Sequence, residues 1–585
     1  LTQTGYREIF YNTAQSLFVL TQDLGDWVTK GLTVSIKGSF DAKNENNLSR
    51  TKTSPQWLAT GRNEAGELEF NQTKIGEENL TYKQTNKGYR SVYFEAVANW
   101  ARTFGKHDLS AMFLFQQSQK NYVGESANNS EKALPYRHQG IAGRITYNYD
   151  NRYFVEGNFG YNGSENFSPN HRFGFFPSIA LGYVVSNEKF FEPIRDVVSM
   201  VKLKASYGLV GNDQIGGDRR FIYNETVIGG GKYYFGTTPS QYTSVRLGEF
   251  PNPNVGWEKG KKFNLGADLS FFNQLNISVD YFKENREGIF LQRKSIPMYV
   301  GLSTKPWVNI GKMRNSGIDA SLEYHQPLGK DLHLTVRGNF TYARNRIMDQ
   351  DEPDYAYTYM NHSGQMQWQK FGLVAAGLFQ DQEDIDSWAK QSFGEVKPGD
   401  IKYLDLNGDG IVDNYDTKPI GYSDIPEIVY GFGFSLQWKA FDLSAFFQGV
   451  AHVSFSTLTD QTQAFVGRNL KESSVFADLY GNTWTPENPG AKYPRMTTGA
   501  IDNNNQLSTF WMANGRYLRL KNLELGYTLP KRIANKIAMQ SLRVYLSGVN
   551  LFTFSPFKLW DPDLQTGATN YPNNRIINLG LTIGF

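Results

Sequence analysis

Residues 577–585 read INLGLTIGF, and the stretch separates at once into two faces. Ile577, Leu579, Leu581, Ile583 and Phe585 lie on one side of an extended chain, and Asn578, Gly580, Thr582 and Gly584 lie on the other. No polar tail follows the final ring. An edge strand this apolar would aggregate in water. It is tolerable if it closes a lipid-facing wall by pairing with the first strand, and that closure is the expectation.

Working outward, the same period of two recurs along the chain. In GFGFSLQWK (Gly431–Lys439), Phe432, Phe434, Leu436 and Trp438 oppose Gly433, Ser435 and Gln437. In KKFNLGADLSFF, Phe263, Leu265, Ala267, Leu269 and Phe271 oppose Asn264, Gly266, Asp268 and Ser270; Ile277, Val279 and Tyr281 then oppose Ser278 and Asp280. Similar patterns cover Leu32–Phe40, Val92–Phe104, Ile141–Tyr149, Ile179–Val185, Val201–Leu209, Leu523–Leu529 and Leu542–Leu546. The template predicts roughly sixteen to twenty strands. Helical periodicity is confined to a possible turn near Lys531–Ala538.

The connections are lopsided. Short turns are expected at Asp150–Asn151, Asn273–Gln274 and Ala440–Phe441, and long polar loops over Asp41–Lys87, Gly211–Gly256 and Tyr355–Pro426. Short turns at one end and long loops at the other mark an outer-membrane barrel. A propeller would repeat at roughly forty residues, and a string of sandwiches would show linkers; neither pattern is present. Aromatics reach 15% of the chain and gather near strand ends, as at Trp100 and Phe104 or Tyr147, Tyr149, Tyr153 and Phe154, which suits the girdles of a bilayer. No window approaches the ~18 apolar residues of a membrane helix, and a mean hydropathy of −0.49 is compatible with strands that alternate. The charge of +3 is too balanced to suggest nucleic acid, and without cysteine neither disulfides nor thiolate metal sites can form.

One motif points to a metal. DLNGDGIVDNYD (Asp405–Asp416) spaces oxygen donors as a twelve-residue calcium loop does. Asp405, Asn407 and Asp409 would ligate through side chains, Ile411 through its carbonyl, Asp413 directly or through water, and Asp416 would close the site. Gly410 permits the sharp turn. Prolines and glycines on both sides (Pro398, Gly399, Pro419, Gly421, Pro426) exclude the helix pair of an EF-hand, so residues 399–421 read as a calcium-type loop insertion. The alternative is an Asx-turn loop whose side chains bond their own backbone. The seven histidines show no HxxxH or HExxH spacing, Gly229–Gly231 lacks the lysine of a phosphate loop, and Asp351, Glu352, Asp381, Glu383 and Asp384 read as loop carboxylates rather than a glycosidase pair.

Several long blocks, in order, resemble the SusC/RagA family of TonB-dependent outer-membrane transporters. They include FFPSIALGYVVSNEKFF (Phe175–Phe191), VKLKASYGLVGN (Val201–Asn212), the segment Asn252–Gly288, NIGKMRNSGIDASLEY (Asn309–Tyr324), Gly399–Gly421, NTWTPENPGAKYPR (Asn482–Arg495), GRYLRLKNLELGYTLP (Gly515–Pro530) and GVNLFTFSPFKLWDPDL (Gly548–Leu564). The resemblance implies an all-β, antiparallel transmembrane barrel of about 22 strands, a SusD-like lipoprotein as lid, and import of an oligosaccharide or oligopeptide driven through the TonB complex. It implies an outer-membrane, non-enzymatic protein with no nucleic-acid partner. The family's plug and TonB box find no match here, so residues 1–585 are expected to be the C-terminal portion of the barrel, incomplete in strands, with the opening segment a strand well inside it.

Trp307, Trp368, Trp484, Tyr355, Tyr357 and Tyr359 fall outside the alternating runs and are the candidate substrate-binding rings; packing of loop against loop is their competing role. The rival function is a barrel that merely anchors a calcium-dependent adhesin or surface hydrolase.

Overall fold

The computed structural model describes residues 4–124, 126, 130–216, 219–237, 240–302, 304–459, 462, 476–497, 499–537, 539–567 and 570–585. Seventeen strands make one antiparallel sheet. In chain order they are Gly5–Asp23, Leu32–Thr51, Thr81–Phe104, His107–Gly124, Tyr136–Tyr149, Tyr153–Ser164, Phe173–Val184 and Val198–Asn212. Then follow Glu258–Phe271, Leu275–Gln292, Trp307–Leu328, Leu332–Asp349, Ile428–Trp438, Phe441–Ala451, Tyr517–Thr528, Ser541–Phe554 and Ile576–Gly584. Each pairs with the next, so the wall is a meander.

The cross-strand register explains why alternation is so strong. Leu334, Leu436, Leu443, Leu525, Leu546 and Leu579 stand opposite one another on six successive strands. The next row toward the short turns is Trp438, Phe441, Tyr527, Val544 and Leu581. These rows face outward: Leu546 is 51% exposed and Leu579 79%. Such a surface is stable only in hydrocarbon, where exposure to lipid replaces burial in a core. The opposite face carries Ser435, Ser444, Glu524, Ser547 and Asn578 in one row. There Arg543 bridges Asp442 and Glu524, and Lys204 bridges Asp268 at 2.8 Å and Asp280 at 3.3 Å. Inward charges are thus paired across strands.

At the short-turn rim the expected girdle is present. Tyr153 stacks on Tyr183 with centroids 5.1 Å apart, His107 lies 5.0 Å from Tyr149, and Phe441 lies 4.7 Å from Tyr527. The tight turns there use left-handed backbone at Asp150 and Asn151, and at Phe272 and Asn273, the twist that two-residue hairpins favour.

Two expectations are corrected. Strand pairing runs far into segments read as loops: Leu32–Thr51 pairs with Thr81–Phe104 over its whole length, covering much of Asp41–Lys87. Above the bilayer both faces of a strand meet water, so DAKNENNLSRT keeps its ladder while losing alternation. The remaining loops carry hairpins of their own, Gln56–Arg62 with Leu68–Lys74 and Val227–Phe235 with Ser240–Leu247. Ile576–Gly584 pairs with Ser541–Phe554, and Gly5–Asp23 with Leu32–Thr51. Both Ile576–Gly584 and Gly5–Asp23 are edge strands with one partner each among the described residues. The turn at Ala440–Phe441 falls one residue earlier, at Lys439–Ala440, with Lys439 left-handed. Near Lys531–Ala538 the helical turn spans Lys531–Ala534 and Asn535–Ile537; Ala538 lies outside the described residues.

Candidate functional site

The two longest connections, residues 350–427 and 452–516, rise at the same rim from neighbouring hairpins. Strand Leu332–Asp349 pairs with Ile428–Trp438, and Phe441–Ala451 pairs with Tyr517–Thr528. Between them these loops build a compact external body. Ile401, Tyr403, Leu373, Leu378, Val412, Leu479, Tyr493 and Trp511 form its core, with Trp484 packed against it. Ile401 and Tyr403 are 0% exposed. Short ladders frame the core: Ala375–Leu378 with Ile401–Tyr403, and Lys370–Gly372 with Lys418–Ile420.

Polar groups lock the two loops together. Asp400, fully buried, receives Arg495 at 2.8 Å, the Asn504 amide at 2.9 Å and the Lys397 backbone amide at 2.8 Å. Ile401 donates its amide to Asn504, Asn503 donates to the Ile401 carbonyl, and the Tyr403 hydroxyl donates to the Asn503 carbonyl at 2.9 Å. Burial pushes the Tyr403 phenol well above its ordinary range, so it remains a donor. Gly399, with φ +89°, cannot be replaced, because a Cβ there would run into the Trp484 ring. A half-open cleft against this core, lined by Leu479, Tyr493, Arg495, Asn504 and Trp511, holds about 40 Å³, room for a water rather than a sugar. The interior of the body is structural.

The calcium-type loop is part of this body. Val412 is anchored in the core, Ile411–Val412 pairs with Lys390–Gln391 in parallel, and the short strands Ile401–Tyr403 and Lys418–Ile420 flank the loop. The Asp405 carboxylate accepts the amides of Gly408 and Gly410 at 2.7 and 2.8 Å; Gly410 has φ +82°. Asn407 and Asp409 accept amides two residues on. Asp416, fully buried, accepts the amides of Leu406 and Asp413, and Asp413 caps the turn at Tyr415. Among the described residues no three His, Cys, Asp or Glu side chains converge as a metal cage, and no Lys or Arg forms an ion pair with Asp405, Asp409, Asp413 or Asp416. Four carboxylates of the loop, one of them buried, thus lack a cationic side chain among the described residues. As folded, those oxygens are held by the loop's own amides.

The six candidate rings do not form one site. Trp307, read as outside the strands, is in fact the first residue of Trp307–Leu328, stacked on Phe290 at 5.1 Å with Arg219 4.0 Å from its face. It packs on a second small core of Phe167, Ile215, Ile222 and Val255. Trp484 belongs to the loop-body core. Tyr357 and Tyr359 stack at 5.4 Å, Tyr359 donates to the Tyr415 carbonyl at 2.7 Å, and together they brace the calcium-type loop. Burial, then Asp416, Tyr357, Asp405 and Asp409, raises the Tyr359 pKa. Tyr355 lies 6.1 Å from His362, while Trp368 is 55% exposed.

Two features escaped the reading of the sequence. Asp351, counted there only as a loop carboxylate, fastens residues 293–295 by accepting from Arg293 (2.9 Å), the Lys294 amide (2.6 Å) and Ser295 (2.7 Å). Burial opposes ionisation, yet these donors hold its pKa down to about 2. The second is an open cavity of about 350 Å³ at the same rim, lined by Trp560, Lys558, Arg575, Asn573 and Arg519. Arg519 is held by Asp563 at 2.6 Å and by Asp561. The Asp-Pro-Asp of LWDPD was the available signal.

Residues 2–551 match the family model described as TonB dependent receptor-like, beta-barrel. The TonB-dependent receptor P3 of Formosa agariphila is 28% identical over 94% of this chain and 56% of its own length. The TonB-dependent receptor SusC of Bacteroides thetaiotaomicron is 27% identical over 76% of this chain and 43% of its own. The chain spans about half the length of these relatives. In fold it is similar to a chain of the RagAB peptide transporter, with TM-score 0.73 and 21% identity over 99% of this chain and 62% of that one. A wall of alternating strands with an apolar outer face, a polar inner face and long loops at one rim has its counterpart in these outer-membrane proteins: the chain belongs to the TonB-dependent receptor-like β-barrel family.

Proposed function

We propose that the chain supplies the wall and external loops of a SusC-type importer. The importer binds an oligosaccharide or oligopeptide beneath a SusD-like surface lipoprotein and passes it to the periplasm with energy delivered through TonB. The observation that carries this reading is the union of a lipid-facing wall, polar on its inner face, with a compact, internally cross-linked loop body at one rim. Such a body offers a preformed surface for a lid and its cargo, and the cavity beside Trp560, Lys558 and Arg575 is of a size to hold one unit of an oligomer. The full-length protein, extracted in mild detergent from its native membrane, is expected to bring down a lipoprotein of roughly domain-pair size. A lone barrel that hydrolyses glycan or lipid, or that only adheres, would overturn the import reading.

Calcium at Asp405–Asp416 is the second part of the proposal. Its support is the donor spacing and the four carboxylates lacking a counter-charge; its role is to stiffen the external body. Calorimetry on the full-length protein should detect calcium uptake, and Asp405→Ala with Asp409→Ala should abolish it while leaving the wall folded. No uptake in the millimolar range would leave the loop as a self-satisfied Asx turn.

A further inference from the structure

The outward face of the wall is not uniform just above its apolar band. Leu265, Tyr281, Ile318 and Tyr342 form one outward row across four strands. Two residues nearer the long loops, the same face carries Phe263, Lys283, Ser316 and Arg344; two further on it carries Lys261, Asn285, Arg314 and Arg346. The row beyond is balanced, Lys259 and Lys312 against Glu287 and Asp349, and Glu287 also pairs with Lys261 at 2.8 Å. Residues opposite in register share a face, so the excess of positive charge is a belt of two rows directly over hydrocarbon-facing side chains.

The belt has a shape. A groove of about 420 Å³ runs between Arg314, Arg344 and Arg346 at one end and Tyr281, Ile318 and Tyr342 at the other. Arg344 is occupied by Glu427, at 2.6 and 2.8 Å. Among the described residues, Arg314 and Arg346 hydrogen-bond only to neutral oxygens, those of Asn285 at 3.2 Å and the Gly364 carbonyl at 2.9 Å. On another part of the wall, above Phe115, Ile141, Tyr161 and Phe175 come Gln117, Gln139, Gly163 and Phe173, and the arginine of the next row, Arg137, is paired with Glu165 at 3.4 Å.

We infer that this groove binds a phosphate-bearing lipid of the outer leaflet, its phosphate between Arg314 and Arg346 and its acyl chains along Tyr281, Ile318 and Tyr342. Guanidinium forks match phosphate oxygens bidentately, and the adjoining apolar row fits the rest of an amphiphile. The inference rests on the outer-membrane placement of the wall and is independent of the transported substrate.

The test places the full-length protein in phosphatidylcholine nanodiscs containing bisphosphorylated lipid A and counts retained lipid by native mass spectrometry. The wild type should retain lipid A in preference to its dephosphorylated form. Arg314→Gln with Arg346→Gln should lower retention about tenfold or more, while Arg90→Gln, an outward arginine over another part of the wall, should change nothing. Equal retention of the dephosphorylated lipid by the wild type would overturn the assignment without any variant. So would unchanged retention by the double variant, or a loss of dimer in place of a loss of lipid, which would give the face to a second copy.

Discussion

In the wall, Leu579 is 79% exposed and Leu546 51%; in the external body, Ile401 and Tyr403 are 0% exposed. Both regions are made of strands and apolar side chains, long strands in the wall and ladders of two to four residues in the body. They differ in what dissolves those side chains. The wall is organised by register, one row of leucines set against the next, and its apolar face is completed by lipid. The body is organised by packing, and each apolar residue is enclosed by the others and by a buried polar lock centred on Asp400. A substitution should therefore act in one region on insertion and in the other on loop order, with little crossing between them.

The largest effect is expected at the lock. Arg495→Ala leaves Asp400 buried without its cation, a change that costs about 3–5 kcal/mol in comparable sites. Hydrogen exchange of the full-length protein in detergent should show residues 370–420 and 476–516 losing protection while the wall strands keep theirs. Loss of wall protection as well would show that the two regions are one cooperative unit.

The next effect belongs to the wall. Leu436→Arg puts a cation into hydrocarbon and should cost about 2–4 kcal/mol, read as a shifted midpoint for urea-driven folding into vesicles. Gln437→Arg, one residue away on the polar face beside Asp442, should cost well under half as much. Equal costs would mean that both faces meet the same solvent.

The smallest concerns the loop latch. Asp351→Asn should weaken the tether of residues 293–295 by about 1 kcal/mol. In the wild type the carboxylate's folded pKa is depressed to about 2. The tether is thus fully present above the ordinary aspartate value of ~3.9 and is lost as pH falls from there through about 2. Protease sensitivity near Ser295 should rise across that window in the wild type and be flat with pH in the variant.

What the sequence revealed follows the same division. The wall was legible because alternation over Gly431–Lys439 and Ile577–Phe585 is enforced by two solvents, and the short turns at Asp150–Asn151 and Asn273–Gln274 carry their own chemistry. Strand ends were not, since Asp41–Thr51 is wet on both faces and a ladder between wet faces leaves no hydrophobic pattern. The spacing of Asp405–Asp416 and its lack of flanking helices could be read locally. The body that holds it could not, because Asp400, Arg495 and Asn504 meet only when two loops about a hundred residues apart in sequence fold together. Trp307 was misplaced for a related reason: its strand begins with the ring turned onto Phe290 and Arg219, where lipid plays no part.

The most direct test of the account is a spin-label scan of residues 432–438 in the full-length protein reconstituted in bilayers; these 585 residues contribute no native cysteine to interfere. Labels at 432, 434 and 436 should be accessible to oxygen and shielded from a water-soluble nickel chelate, and labels at 433, 435 and 437 should show the reverse. Accessibility without a period of two, or nickel access at 434 and 436, would contradict a wall whose outward side chains are dissolved in lipid.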